Sequence, residues 1–234
     1  MNRILTTIFF VLVIGYTCSA QVIIEALPRW MFGVHLNYNF PQKPVSRLLD
    51  DGSTGYQVEF QYRVQYNKPF LAGGYYNEFT LSRHEIEYTQ ASGAGDINIS
   101  EKANTRRIEM GLTAGFYPEI NWLIQPYLQG RIGMAIFQSS SILKDSDTDE
   151  NIERISEKTT IAPAYGLDIG FHVVPNIWYL RGDVRVGFTG NTSTSFLLLD
   201  EENAGTSGIP IDYFENHTSA GNWLKISAGI SYMF

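Results

Sequence analysis

The sequence predicts an all-β fold, an eight-stranded antiparallel up-and-down transmembrane β-barrel, and three observations carry that expectation. Eight segments alternate apolar and polar residues with period two, and the links between them alternate short and long. The only long uncharged apolar run, Ile4 to Ile14, is about half the ~20 residues that a spanning helix needs, so any membrane residence rests on strands. At 234 residues the chain suits one larger all-β domain. Its net charge of −7 and pI near 5.1 argue against a nucleic-acid partner.

The first element is an address. Asn2 and Arg3 precede the apolar run, and Gly15-Tyr16-Thr17-Cys18-Ser19-Ala20 leads to Gln21, the pattern of a signal peptide over residues 1–20 cleaved after Ala20. Lipidation of Cys18 is the weaker reading, because Gly15-Tyr16-Thr17 is a poor approach to a lipid-bearing cysteine. Removing Cys18 leaves an exported chain without cysteine, held by burial and hydrogen bonds rather than disulfides. Residues 21–29 form a lead, and 30–234 the barrel with four long extracellular loops.

Strand one places Trp30, Phe32, Val34, Leu36, Tyr38 and Phe40 on one face, and Gly33, His35, Asn37 and Asn39 on the other. Strand two, Gly55 to Tyr66, is the most regular, with Tyr56, Val58, Phe60, Tyr62 and Val64 opposite Gln57, Glu59, Gln61, Arg63 and Gln65. Strand three sets Leu71, Tyr75, Phe79 and Leu81 against Ala72, Gly74, Tyr76, Glu78 and Thr80, with Asn77 interrupting the apolar face. Strand four opposes Ile108, Met110, Leu112 and Phe116 to Arg107, Glu109 and Thr113; strand five opposes Leu128, Ile132 and Met134 to Tyr127, Gln129 and Arg131. In strand six Tyr165, Leu167, Ile169 and Phe171 face away from Asp168 and His172, and in strand seven Leu180, Val184, Val186 and Phe188 face away from Tyr179, Arg181, Asp183 and Arg185. Strand eight sets Leu224, Ile226, Ile230, Tyr232 and Phe234 against Lys225, Ser227 and Ser231. Pro126 and Pro163 read as bulges or frayed rungs near strand ends.

Short links at Asn67-Lys68-Pro69, 118–122 and 175–177 carry Pro and Asn turn chemistry, whereas the links over 41–54, 82–105, 138–159 and 189–221 are long and polar. Both termini then lie at the short-turn end, the arrangement of periplasmic turns and extracellular loops. Alternation does not say which face is outside, but charge and aromatics do. Glu59, Arg63, Glu78, Arg107, Glu109, Arg131, Asp168, Arg181, Asp183, Arg185 and Lys225 share the polar parity, where they form a paired lumen network, since an unpaired charge in a low-dielectric interior is costly. Trp30, Phe40, Tyr56, Tyr66, Phe116, Trp178, Phe188, Tyr232 and Phe234 lie near strand ends, like two interfacial girdles. The competing arrangement is a soluble periplasmic lipocalin-like barrel, with the charges in water and the aromatics lining a cavity. Inward Tyr76, Tyr117, Tyr127, Phe137 and Tyr179 add bulk to the lumen and argue against a wide channel.

The last segment, Leu224 to Phe234, alternates apolar residues and closes on Ile230, Tyr232 and the terminal Phe234. It resembles the C-terminal assembly signal of Gram-negative outer-membrane proteins. From about Trp30 to Phe234 the chain is similar to the small eight-stranded family of OmpA- and OmpX-type barrels and the "outer membrane protein beta-barrel domain" proteins. The resemblance implies recognition of the last strand by the barrel-assembly machinery, and residence among outer-membrane lipid and lipopolysaccharide with both termini periplasmic. It implies no single activity, because fold does not fix function.

His217-Thr218-Ser219-Ala220-Gly221-Asn222 resembles the His-x-Ser-Asn-Ala motif of outer-membrane lipid A deacylases, with His217 as base and Ser219 as nucleophile. Gly221 breaks the match, and no carboxylate follows Glu215. Asp145-Ser146-Asp147-Thr148-Asp149-Glu150 opens like a calcium loop, but Glu150 and Ser156 stand where Gly and Glu are required. His35, His84 and His172 have no metal-ligand spacing, and no cofactor motif occurs. The expectation is a non-enzymatic outer-membrane barrel with a structural, adhesion or secretion-accessory role, its envelope partner selected by no residue.

Overall fold

The computed structural model describes residues 29–43, 45–47, 49, 52–65, 68–92, 95–118, 123–145, 148, 151–173, 179–199 and 214–234. The signal-peptide reading over 1–20 lies outside the described residues. The strands are β1 (Trp30–Pro41), β2 (Ser53–Arg63), β3 (Phe70–Ser92), β4 (Gly95–Phe116), β5 (Ile124–Asp145), β6 (Asn151–Val173), β7 (Leu180–Asn191), β8 (Thr194–Leu199), β9 (Phe214–Ser219) and β10 (Asn222–Met233). Eight close into a barrel in the order β1-β10-β7-β6-β5-β4-β3-β2, while β8 and β9 form a separate two-stranded sheet.

The seam pairs β1 with β10 from Met31↔Met233 to Pro41↔Trp223. At its foot the Arg29 and Trp30 N–H groups donate to the Phe234 carbonyl at 3.1 and 2.8 Å, and Phe234 N–H donates to Trp30 O at 3.0 Å. Closure satisfies backbone groups that would each cost several kcal/mol if stranded in hydrocarbon.

Burial runs opposite to that of a soluble barrel. In β1 Met31, His35, Asn37 and Asn39 are buried while Phe32, Val34, Leu36, Tyr38 and Phe40 are exposed, and β7 and β10 repeat the pattern. Large apolar groups face outward and charges inward, which removes the lipocalin-like arrangement.

Strand β3 departs from the sequence reading. Leu71, Tyr75, Asn77, Phe79 and Leu81 are its buried face, so Tyr76 and Glu78 lie on the outer wall and Glu78 is no member of the lumen network. The reason is that the lumen is layered. Leu71 belongs to an apolar layer at the short-turn end with Met31, Tyr117, Tyr127 and Met233. Phe79 and Leu81 belong to a second at the other end with Val45, Ala135, Phe137, Ala164, Phe196, Leu198 and Trp223. Asn77 is the polar rung between them. Tyr179 is also exposed rather than inward.

Two of the four long loops are strands. The β3–β4 pairing runs to Ser92↔Gly95 with one register shift between Thr80 and Ser82, and β5–β6 to Lys144↔Asn151 with shifts at Ser139/Ser140 and Leu143/Lys144, so residues 82–92, 95–105, 138–145 and 151–159 continue the sheet. With β4 paired to β5 from Phe116↔Leu128 to Ile99↔Asp145, they form one four-stranded extension. Strands β3 to β6 have 22 or 23 residues against 11 or 12 in β1, β2, β7 and β10. The roughly ten extra residues add about 33 Å of strand at ~3.3 Å per residue, which at a tilt of about 40° raises half the wall by about 25 Å. A third link, 189–221, holds the β8–β9 hairpin. Pro163 is no bulge: it pairs in register with Met134, and its missing N–H sits where β7 pairing ends at Ala164↔Asn191.

Candidate functional site

Between the apolar layers, inward positions of the barrel strands bring four acids and four bases together, each at most 2% exposed: Glu59, Glu109, Asp168, Asp183, Arg107, Arg131, Arg185 and Lys225. Arg185 on β7 donates to Glu59 Oε1 on β2 at 3.0 Å and to Gln129 Oε1 at 3.0 Å, and its Nε lies 3.2 Å from Asp183. Gln129 passes a hydrogen bond on to Glu59 at 2.9 Å. Arg131 Nε lies 3.0 Å from Asp168 Oδ2, and Lys225 donates to Gln57 Oε1 at 2.8 Å and sits 3.3 Å from Asp168. Arg107 pairs with Glu109, which also accepts from Thr189 at 2.8 Å and Asn77 at 3.2 Å. Arg63 and Arg181 lie toward the short-turn end, donating to Lys68 O at 2.9 Å and Gln125 Oε1 at 3.0 Å.

Sequence spacing missed one convergence. His35 on β1 and His172 on β6 meet at Asp183 on β7, with Nε2 atoms 3.4 and 2.8 Å from its two oxygens, and Tyr127 donates to it at 3.0 Å. The signal was their common inward parity on strands that the barrel makes neighbours across its bore. A Cβ at Gly33 or Gly229 would collide with the His35 ring, so these glycines make its seat. Among the described residues no group of three or more His, Cys, Asp or Glu is arranged to hold a metal.

Each end of this layer is covered. At the short-turn end the Tyr117, Tyr127 and His172 rings stack with centroids 4.7 to 5.6 Å apart. At the other end the Arg107 guanidinium lies 4.2 Å from the Trp223 centroid and 5.3 and 5.7 Å from Phe79 and Phe137.

The outer wall carries exposed Val34, Leu36, Leu112, Ile132, Leu167, Ile169, Val186 and Ile226. Aromatic groups border this belt on both sides. Trp30 packs on Phe60 and Tyr62, Phe70 on Phe116, and Tyr232 on Tyr179 and Phe234 at the short-turn end. Tyr38 packs on Phe40, Tyr56 on Tyr76 and Tyr165 on Phe188 at the other. Tyr66 and Trp178, also read as girdle residues, lie outside the described residues. Ten rungs from Trp30 to Phe40 at ~3.3 Å, tilted by about 40°, project to about 25 Å, the height of a hydrocarbon band. The chain folds as a transmembrane β-barrel.

The barrel's belt ends at a polar rung on its long-strand side. Tyr56 and Tyr76 hydroxyls donate to Glu78 Oε2 at 2.9 and 2.5 Å, and Arg106 donates to Glu78 Oε1 at 3.2 Å and Gln138 at 2.7 Å. Above it, the Lys102 ammonium 2.6 Å from Glu85 holds that carboxyl below its ordinary range.

No protein-family model matches the sequence, and no curated protein does. Solved structures with a similar course include Neisserial surface protein A, at 10% identity over 90% of this chain and 100% of that one, with a TM-score of 0.47. The outer membrane protein OprG from Pseudomonas aeruginosa matches at 13% identity over 92% and 99%, TM-score 0.47. A major outer membrane protein from Thermus thermophilus matches at 11% over 88% and 99%, TM-score 0.47.

The deacylase-like residues do not assemble into a nucleophile and base. His217 and Ser219 both lie on β9, but Ser219 Oγ donates to the adjacent Ala220 carbonyl at 3.2 Å, and His217 Nε2 faces Glu215 at 3.4 Å. Of the acidic run, Asp145 ends β5, paired with Ile99; residues 146, 147, 149 and 150 lie outside the described residues. Ile230, Tyr232 and Phe234 all point outward from β10 or its end.

Proposed function

We propose that this barrel is an integral, non-enzymatic protein of the bacterial outer membrane that acts through the water-facing extension of β3 to β6 and the β8–β9 hairpin. The observation that supports this reading most is the combination of an apolar outer belt with a bore filled by paired charges and covered at both ends. Such a wall serves as an anchor, and it leaves the extension as the surface available to partners outside. Outer-membrane lipid and lipopolysaccharide then surround the belt, and the outward Ile230, Tyr232 and Phe234 on the closing strand are what the assembly machinery reads. Short turns and both termini face the periplasm.

A labelling experiment tests the orientation and the surface together. In a Cys18→Ser background, Glu87→Cys on the extension should react with a membrane-impermeant maleimide on intact cells, and Lys68→Cys in the short turn only after lysis. Reaction of Lys68→Cys alone on intact cells would reverse the orientation. Recovery of the chain in the soluble periplasmic fraction would remove the reading altogether.

A further inference from the structure

The β8–β9 hairpin forms a sheet of its own, joined to the wall by no backbone ladder among the described residues. Thr194↔Ser219 is its first rung and Leu199↔Phe214 its last. It enters and leaves the barrel at one point, where Asn191 N–H donates to Gly221 O at 2.8 Å, with residues 192–193 and 220–221 as its two short feet.

One foot is tied to the wall by a backbone bond, Thr192 N–H to Pro163 O at 3.1 Å, and the hairpin itself is held by side chains. Thr105 and Ser139 hydroxyls donate to the Leu197 carbonyl at 3.0 and 3.3 Å, Thr160 donates to Ser195 O at 2.6 Å, and Lys158 reaches Ser195 Oγ and Asn216 Oδ1 at 3.0 and 2.8 Å. Phe196 and Leu198 are pressed into a basin of Val45, Phe79, Phe137 and Trp223, with Phe196 stacked on Phe137 at 5.1 Å.

The floor of that basin is complete without the hairpin. Arg107 is covered by Trp223, Phe79 and Phe137 and paired with Glu109, both from the barrel itself. Lifting the hairpin therefore leaves no lumen charge without its partner, and the wall hydroxyls and Lys158 that it releases face water.

We propose that the β8–β9 hairpin is a hinged lid that swings on its two feet as a unit, withdrawing Phe196 and Leu198 and opening the basin to the outside.

Hydrogen exchange on the wild-type barrel in lipid tests the lid without any substitution. The β8–β9 amides should exchange together, by about tenfold or more ahead of those in the β1–β10 seam, as a local opening requires. A second measurement uses Trp223 as the reporter, with Trp30, Trp122 and Trp178 replaced by Phe, and acrylamide as the quencher. A Thr160→Cys, Ser195→Cys disulfide in a Cys18→Ser background should suppress Trp223 quenching, and reductant should restore it. Hairpin amides that exchange only at the rate of the seam, or that fray singly from their ends, would overturn the proposal. So would quenching of Trp223 that is the same with the disulfide formed and reduced.

Discussion

Glu59 accepts hydrogen bonds from Gln57, Gln129 and Arg185, contributed by its own strand, β5 and β7. Removing such a carboxylate does more harm than its attraction to one arginine suggests, because Arg185 stays buried without its main counter-charge. Glu59→Ala should lower stability by about 3–5 kcal/mol, read as a fall in the urea midpoint in lipid vesicles, whereas the paired Glu59→Leu, Arg185→Met variant should recover much of it. On the other face of the same wall the solvent is hydrocarbon. Leu112→Arg, in the middle of the belt, should cost about 2–4 kcal/mol by the same measurement. A charge reversal at the exposed Glu87 on the extension should leave the midpoint almost unchanged, within about 0.5 kcal/mol. Apolar outward and charged inward are thus separate requirements, and single substitutions distinguish them.

Among the elements, β8–β9 is the one held most by its side chains. Phe196→Ala deletes a buried ring, a change that costs about 3–5 kcal/mol in a well-packed core. Here the loss should fall on the hairpin alone: faster exchange of β8–β9 amides with the seam unchanged. This hairpin was illegible in the sequence because Phe196 to Leu199 is a plain apolar run, without the alternation that marks a lipid-facing strand. The upper halves of β3 to β6 were hidden for a related reason. Once clear of the membrane a sheet meets water on much of both faces, so the row alternating with Arg83, Glu85 and Glu87 starts at His84, holds only Ile86 and Tyr88 as apolar members, and lapses at Gln90. The eight membrane strands were legible, since lipid on one side and a polar bore on the other impose strict period two. Strand β3 shows the limit of that rule. Leu71 and Phe79 look lipid-facing by alternation, yet they fill the lumen's apolar layers, and alternation alone cannot separate those two destinations. The charged layer was legible as a set of residues, but its pairing was not. Which base meets which acid depends on distance across a closed bore, and His35 and His172 reach Asp183 only through that geometry.

At the scale of the whole molecule, three layers close the bore: stacked Tyr117, Tyr127 and His172, the balanced charges, and Arg107 beneath Trp223. An eight-stranded barrel is just wide enough for side chains to fill. Planar-bilayer recordings should therefore show no large, steady conductance, and such a conductance would refute the packed bore. The seam has a further meaning in time. The β3–β4 and β5–β6 hairpins join residues close in sequence, whereas Met31 pairs with Met233 at nearly the full length of the chain. Contacts of high sequence separation form slowly, because the loop they close must be ordered first. Until β10 reaches β1, the sheet keeps two open edges able to pair with a neighbouring chain. The slowest step of folding is thus also the one that ends the risk of aggregation.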